Sequence, residues 1–125
     1  PVNKKMTIGQ MFENIPTHLA IDDIATLTAT ASNLASTFAS ALNLTSASAD
    51  VAFTLDDGTD VGQLKIIFNS HEPASTYVAN VTVSSWGFSA TGSNQIVMNA
   101  QGDAVILFWN GTSWYPVSNV NAVIS

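Results

Sequence analysis

The chain has 125 residues, 46% of them hydrophobic and only 10% charged, with a formal net charge of -6 at pH 7, which suits one domain with an arm and excludes an intrinsically disordered chain. Three lysines stand against nine acids, so no cationic surface is available for phosphate and nucleic-acid binding is excluded. The absence of cysteine excludes disulfide staples and thiolate chemistry.

The charges are also unevenly spread. None falls from Ile24 to Ala49, and beyond Glu72 there is only Asp103. A free monomer ordinarily carries a surface of which about a quarter or more is charged. A surface of Ser, Thr, Asn and Ala therefore points to burial against partners, the alternative being a monomer kept soluble by hydroxyl and amide groups and its net charge. The longest apolar run, Ala104 to Trp109, is far short of the roughly 20 residues of a membrane-spanning helix. No basic-then-apolar leader opens the chain, and Pro1 suggests a whole gene product trimmed of its initiator Met. A soluble mature protein is expected.

In chain order, Lys4 and Lys5 lead into Met6, Ile8, Met11, Phe12 and Ile15 before Pro16 interrupts any helix. This spacing predicts a short apolar attachment arm. From Ile24 the apolar positions Ile24, Leu27, Ala31, Leu34, Phe38 and Ala41 step by three and four residues, the seam of a coiled coil. Asp22 and Asp23 would suit the N-terminus of such a helix. The intervening Thr and Ser are mediocre helix formers, interhelical charges are missing, and Leu27 to Ala31 also alternates as a strand does. A short helix and an extended arm both remain open here. The Ala, Ser and Thr bias of residues 30–49 suggests a linker or lightly packed arm. Residues 1–49 are thus expected to form an attachment and oligomerisation segment, and residues 50–125 a β-domain.

Beyond Asp50 the signal is β. Val51 to Leu55 alternates, and Asp56-Asp57-Gly58-Thr59 predicts a hairpin-like corner with Gly58 free to take positive φ. Further β-rich runs cover Gln63–Asn69, Tyr77–Val83, Gln95–Met98, Ala104–Asn110 and Ser113–Val117. Asn110-Gly111 marks the clearest hairpin. The expected fold is mainly β: a small antiparallel sandwich or barrel, jelly-roll-like, preceded by an arm with a possible short helix.

Catalytic chemistry finds little to stand on. His18 and His71 are the only imidazoles and lie in different segments, without ligand spacing. Asp56, Asp57 and Asp60 offer oxygens for Ca²⁺, but the twelve-residue loop with a terminal Glu is absent, and an acidic turn is the simpler reading. Trp86, Trp109, Trp114 and Tyr115 could form a platform for a sugar ring, or pack in the core or between subunits. No enzyme activity, cofactor or metal is expected.

Two stretches, Leu55-Asp-Asp-Gly-Thr-Asp-Val-Gly-Gln-Leu-Lys-Ile-Ile and Gly102-Asp-Ala-Val-Ile-Leu-Phe-Trp-Asn-Gly-Thr-Ser-Trp-Tyr-Pro-Val-Ser, resemble small virion proteins of tailed phages, notably those of marine and cyanobacterial hosts. The resemblance covers about the C-terminal half and implies a β-rich, commonly trimeric module on a capsid or tail. The leading expectation is a capsid decoration or cement protein located on the virion, a homo-oligomer that stabilises the particle. Its partners would be copies of itself and the major capsid protein or other virion subunits, with no membrane partner. Met6, Ile8, Met11, Phe12 and Ile15 would attach it, and Ile24, Leu27, Leu34, Phe38, Trp109, Trp114 and Tyr115 would pack the oligomer. The alternative is a tail-fibre or receptor-recognition module that touches a host-surface glycan.

Overall fold

The structure, a computed structural model, describes residues 24–71, 76–88 and 94–125. The arm residues Met6, Ile8, Met11, Phe12 and Ile15, and His18, lie outside the described residues. Among the described residues nine strands follow one another: β1 (Ile24–Leu27), β2 (Ala39–Asn43), β3 (Val51–Leu55), β4 (Leu64–His71), β5 (Ala79–Val83), β6 (Gln95–Met98), β7 (Ala104–Trp109), β8 (Trp114–Val120) and β9 (Val123–Ile124). They form a five-stranded sheet of order β1-β2-β4-β7-β8 and a four-stranded sheet of order β3-β5-β6-β9. The fold is mainly β, as the alternation beyond Asp50 predicts, and the two sheets do not close into a barrel.

The sheets are mixed rather than antiparallel. β1 runs parallel to β2, β2 to β4, and β3 to β5. Parallel neighbours need a crossover, and here the chain crosses through the opposite sheet: β3 lies between β2 and β4 in sequence but in the other layer, and β4 likewise between β3 and β5. The acidic corner after Leu55 is therefore not a hairpin. It carries the chain from one sheet to the other.

Residues 24–44 are part of this sandwich rather than an arm beside it. After β1 the chain reaches across to the opposite sheet, where Ala31 N–H donates to Ala52 O (3.1 Å) and Ala31 O accepts from Thr54 N–H (3.0 Å). A single 3-10 turn, Leu34–Ser36, then buries Leu34 and Ala35, and β2 returns to the five-stranded sheet. The three-and-four spacing from Ile24 to Ala41 thus belongs to two short strands and a turn, not to a helix. With Ser and Thr between the apolar residues, helical propensity is weak, and strand pairing satisfies the backbone instead.

Between the sheets lies one core, built from Leu42, Leu44, Ile67, Val105, Leu107, Trp109 and Trp114 on one side and Val51, Phe53, Leu55, Val81, Val83, Ile96 and Met98 on the other. The period of two decides who enters it: β3 buries Val51, Phe53 and Leu55 and turns Ala52 and Thr54 away.

A polar knot closes one end. Asp103, 1% exposed, accepts on Oδ2 from the N–H groups of Asn99 (2.8 Å) and Ala100 (2.9 Å). Its own carbonyl accepts from Asn69 N–H at 2.8 Å, and Asn69 Nδ2 donates to Ala100 O at 3.0 Å. The carboxylate thus closes the β6–β7 turn on itself, and Asn69 ties that turn to the end of β4. Asp103→Ala leaves two backbone donors without this acceptor and is expected to lower stability by about 2–4 kcal/mol, with Asp103→Asn lower by less, as read from the midpoint of denaturant unfolding.

Candidate interaction surface

Among the described residues, the polar groups that come together lie at turns and strand ends. Ser70 Oγ lies 2.9 Å from His71 Nδ1 but also 3.0 Å from Leu42 O. A hydroxyl has one proton. If Ser70 donates it to the Leu42 carbonyl, the imidazole must donate to Ser70, the reverse of what a general base does. In the acidic corner, Asp56 Oδ1 accepts from Ser84 Oγ at 3.4 Å and Asp60 Oδ2 from Thr59 Oγ1 at 3.0 Å. Among the described residues no three His, Cys, Asp or Glu are grouped so as to hold a metal ion.

Gly58 in that corner does not use a positive φ, which occurs instead at Gly62, Gly102 and Gly111. Its lack of a side chain matters for another reason: a Cβ there would run into the indole ring of Trp109.

The aromatic end is divided between core and surface. Gly111 (φ 97°) and Asn110, whose Oδ1 accepts from the N–H groups of Thr112 (2.9 Å) and Ser113 (2.8 Å), turn β7 into β8. The turn brings Trp109 opposite Trp114, their ring centroids 5.3 Å apart. Both indoles are inside: Trp109 is 4% exposed and Trp114 is fully buried, with Nε1 donating to Asp56 O at 2.9 Å. Trp109, Trp114 and Leu34 therefore pack within one chain and present no face to a subunit or a sugar. Leu27 packs against the same core, and Phe38 is half-buried. Trp86 and Phe88 meet edge to face at 6.1 Å, and the Tyr115 ring covers Gly87.

Ile24 and Tyr115 do share a surface, the outer face of the five-stranded sheet. The register aligns three rows across it. Ile24, Ala39, Ile66, Ile106 and Ser118 form one, Thr26, Ala41, Phe68 and Ala104 the next, and Leu64, Phe108 and Tyr115 the third. Ile24 is 60% exposed, Leu64 40% and Tyr115 41%. Ile66, Phe68, Ile106 and Phe108 are half-buried, and Ala39 and Ala41 are buried. No charged residue stands in these rows. The outer face of the other sheet is different, with Asn80, Thr54, Thr82 and Gln95 beside Ala52, Val97 and Val123.

Strand β4 makes the contrast sharp. Its two sets of alternate residues are Leu64, Ile66 and Phe68, which point out, and Lys65, Ile67 and Asn69, which point into the sandwich and are buried. Lys65 Nζ donates there to Thr37 O (2.9 Å), Thr37 Oγ1 (3.0 Å) and Ser40 Oγ (2.8 Å). In β7 every residue from Ala104 to Trp109 is apolar, the composition of a strand covered on both faces.

Compared with known proteins, the chain matches no family model and no curated sequence.

Proposed function

We propose that this chain is a structural subunit of a phage virion, a capsid decoration or cement protein that acts by assembly rather than by catalysis. It forms a homo-oligomer, a trimer by its resemblance to small phage virion proteins, and joins neighbouring virion subunits through residues 1–16. The observation that supports this best is the outer face of the five-stranded sheet: apolar, uncharged, and built from the more hydrophobic set of β4. A chain that acted alone would have reason to turn Leu64, Ile66 and Phe68 inward.

The mechanism is repeated contact. Met6, Ile8, Met11, Phe12 and Ile15 contribute about 1.5–3 kcal/mol for each side chain fully buried in a partner, before ordering costs. An oligomer presents several such arms at once, which multiplies the attachment. Labelled antibody or particle imaging should place the protein on the capsid at a fixed copy number, and deletion of residues 1–16 should abolish incorporation. Absence of the wild-type protein from purified particles would sink the reading. Normal occupancy by the truncated protein would move attachment away from the arm.

A further inference from the structure

We infer that in the free chain residues 1–16 lie on the outer face of the chain's own five-stranded sheet. The inference goes beyond the proposed function, since it gives the arm a resting place before any neighbouring subunit takes it up.

The point where the segment ends directs it there. Residues 1–23 run into Ile24, the first residue of β1, which is the edge strand of this sheet and carries Ile24 on the outer face. β1, β2 and β4 are parallel, so the segment arrives at the end of the sheet where β4 begins with Leu64. It is delivered to the sheet whose outer face is apolar and uncharged, and not to the other one.

Reach and composition narrow the choice further. The outward side chains of β4 and β7 stand about 10 and 14 Å from β1. Residues 16–23 can span about 26 Å when extended, so Met6, Ile8, Met11, Phe12 and Ile15 come within reach of both strands. The tether also raises the local concentration of the arm to about the millimolar range, where even a modest apolar contact is populated. The other stretches outside the described residues, 72–75 and 89–93, read Glu-Pro-Ala-Ser and Ser-Ala-Thr-Gly-Ser and have no large apolar side chain to offer the face.

Burial supplies the third observation. The opposite sheet packs on the inner side, where Leu42 and Ile67 join the core, yet β2 is buried on both sides: Ala39 and Ala41 point outward and are each 5% exposed. Ile66, Phe68, Ile106 and Phe108 are half-buried, whereas Ile24 and Leu64 at the margin stay open. A narrow apolar segment laid across the middle of the sheet fits a face withdrawn from water at its centre and open at its rim. An apolar arm and an apolar face that cover one another remove two aggregation-prone surfaces at once, in a chain with few charges to keep it dispersed.

The test is the rate at which chymotrypsin cuts the full-length chain after Phe12, followed by mass, for wild type, Ile66→Asn, Ile106→Asn, Ala52→Asn, an arm variant carrying Ile8→Asn and Ile15→Asn, and the arm variant combined with Ile66→Asn or Ile106→Asn. Wild type and Ala52→Asn, changed at an exposed site on the opposite sheet, should be cut equally slowly. The face variants and the arm variant should be cut about tenfold faster or more, because cleavage follows the population of the released arm. Near-ultraviolet circular dichroism of the buried Trp109–Trp114 pair should stay unchanged. The combinations should be cut no faster than either parent, since one contact is lost only once, and the arm variant leaves the sandwich untouched should a face variant fail to fold. Wild type cut as fast as a free peptide of residues 1–23 would overturn the inference, as would folded face variants cut at the wild-type rate or combinations whose effects multiply. A wild-type rate that falls as protein concentration rises would overturn it in favour of a second copy as the cover. Each of these failures leaves the virion reading standing, because attachment requires only that residues 1–16 reach a partner.

Discussion

Trp114→Ala is expected to remove about 4–6 kcal/mol of stability, enough to unfold a domain whose total lies within about 5–15 kcal/mol. Trp114 is the largest fully buried side chain, and truncating it leaves a cavity beside Trp109, whose ring centroid is 5.3 Å away. It also removes the hydrogen bond from Nε1 to Asp56 O (2.9 Å), which ties the β3–β4 crossover to β8. The backbone of the same residue is held from both sides, with Trp114 N–H donating to Ser85 O (2.8 Å) and Trp114 O accepting from Gly87 N–H (2.9 Å). Trp114→Phe keeps most of the apolar volume and forfeits the indole hydrogen bond, so its loss should be about 1–3 kcal/mol. Equilibrium unfolding of both variants checks the expectation. Equal midpoints for Trp114→Phe and wild type would show that the link to Asp56 contributes nothing.

The strands beyond Asp50 were legible because local signals agree there. Val51 to Leu55 alternates strictly and forms β3 as predicted, and Asn110-Gly111 supplies both the side-chain acceptor and the positive φ of the β7–β8 turn. Upstream, the agreement fails. Ile24, Leu27 and Leu34 have helical spacing, but the strand β1 is only four residues long and Ala31 pairs with the other sheet, so no single period describes the segment. Nor does alternation state which sheet a strand joins: β2 and β4 are neighbours although β3 lies between them in sequence. The glycine at 58 was legible as a special position and its reason was not, because the indole that excludes a side chain comes from residue 109. For the candidate surface the period of two gives the wrong face outright. By hydrophobicity alone Leu64, Ile66 and Phe68 belong inside and Lys65 and Asn69 outside. Their inversion became visible only with the partners of Lys65, which come from residues 37 and 40.

That inversion makes Lys65 the second position of large expected effect. A lysine between two sheets gives up hydration of its ammonium group, and the loss is tolerable only where hydrogen bonds replace the water. Among the described residues, Thr37 O, Thr37 Oγ1 and Ser40 Oγ supply three acceptors within 3.0 Å, matching the three donors of the group. Small polar residues at the start of β2, uninformative as a sequence pattern, are what permit β4 to turn Lys65 inward and Leu64, Ile66 and Phe68 outward. Lys65→Ala removes both the buried aliphatic stem and the donors, and should destabilise the fold by about 3–5 kcal/mol. Lys65→Met retains the stem and removes the charge, leaving the Thr37 carbonyl without this donor, and should lose about 1–3 kcal/mol. Denaturant unfolding of the two variants separates packing from polar satisfaction. If both match the wild type in stability, the three hydrogen bonds do not hold β4 in its orientation, and the outward face of that strand needs another cause.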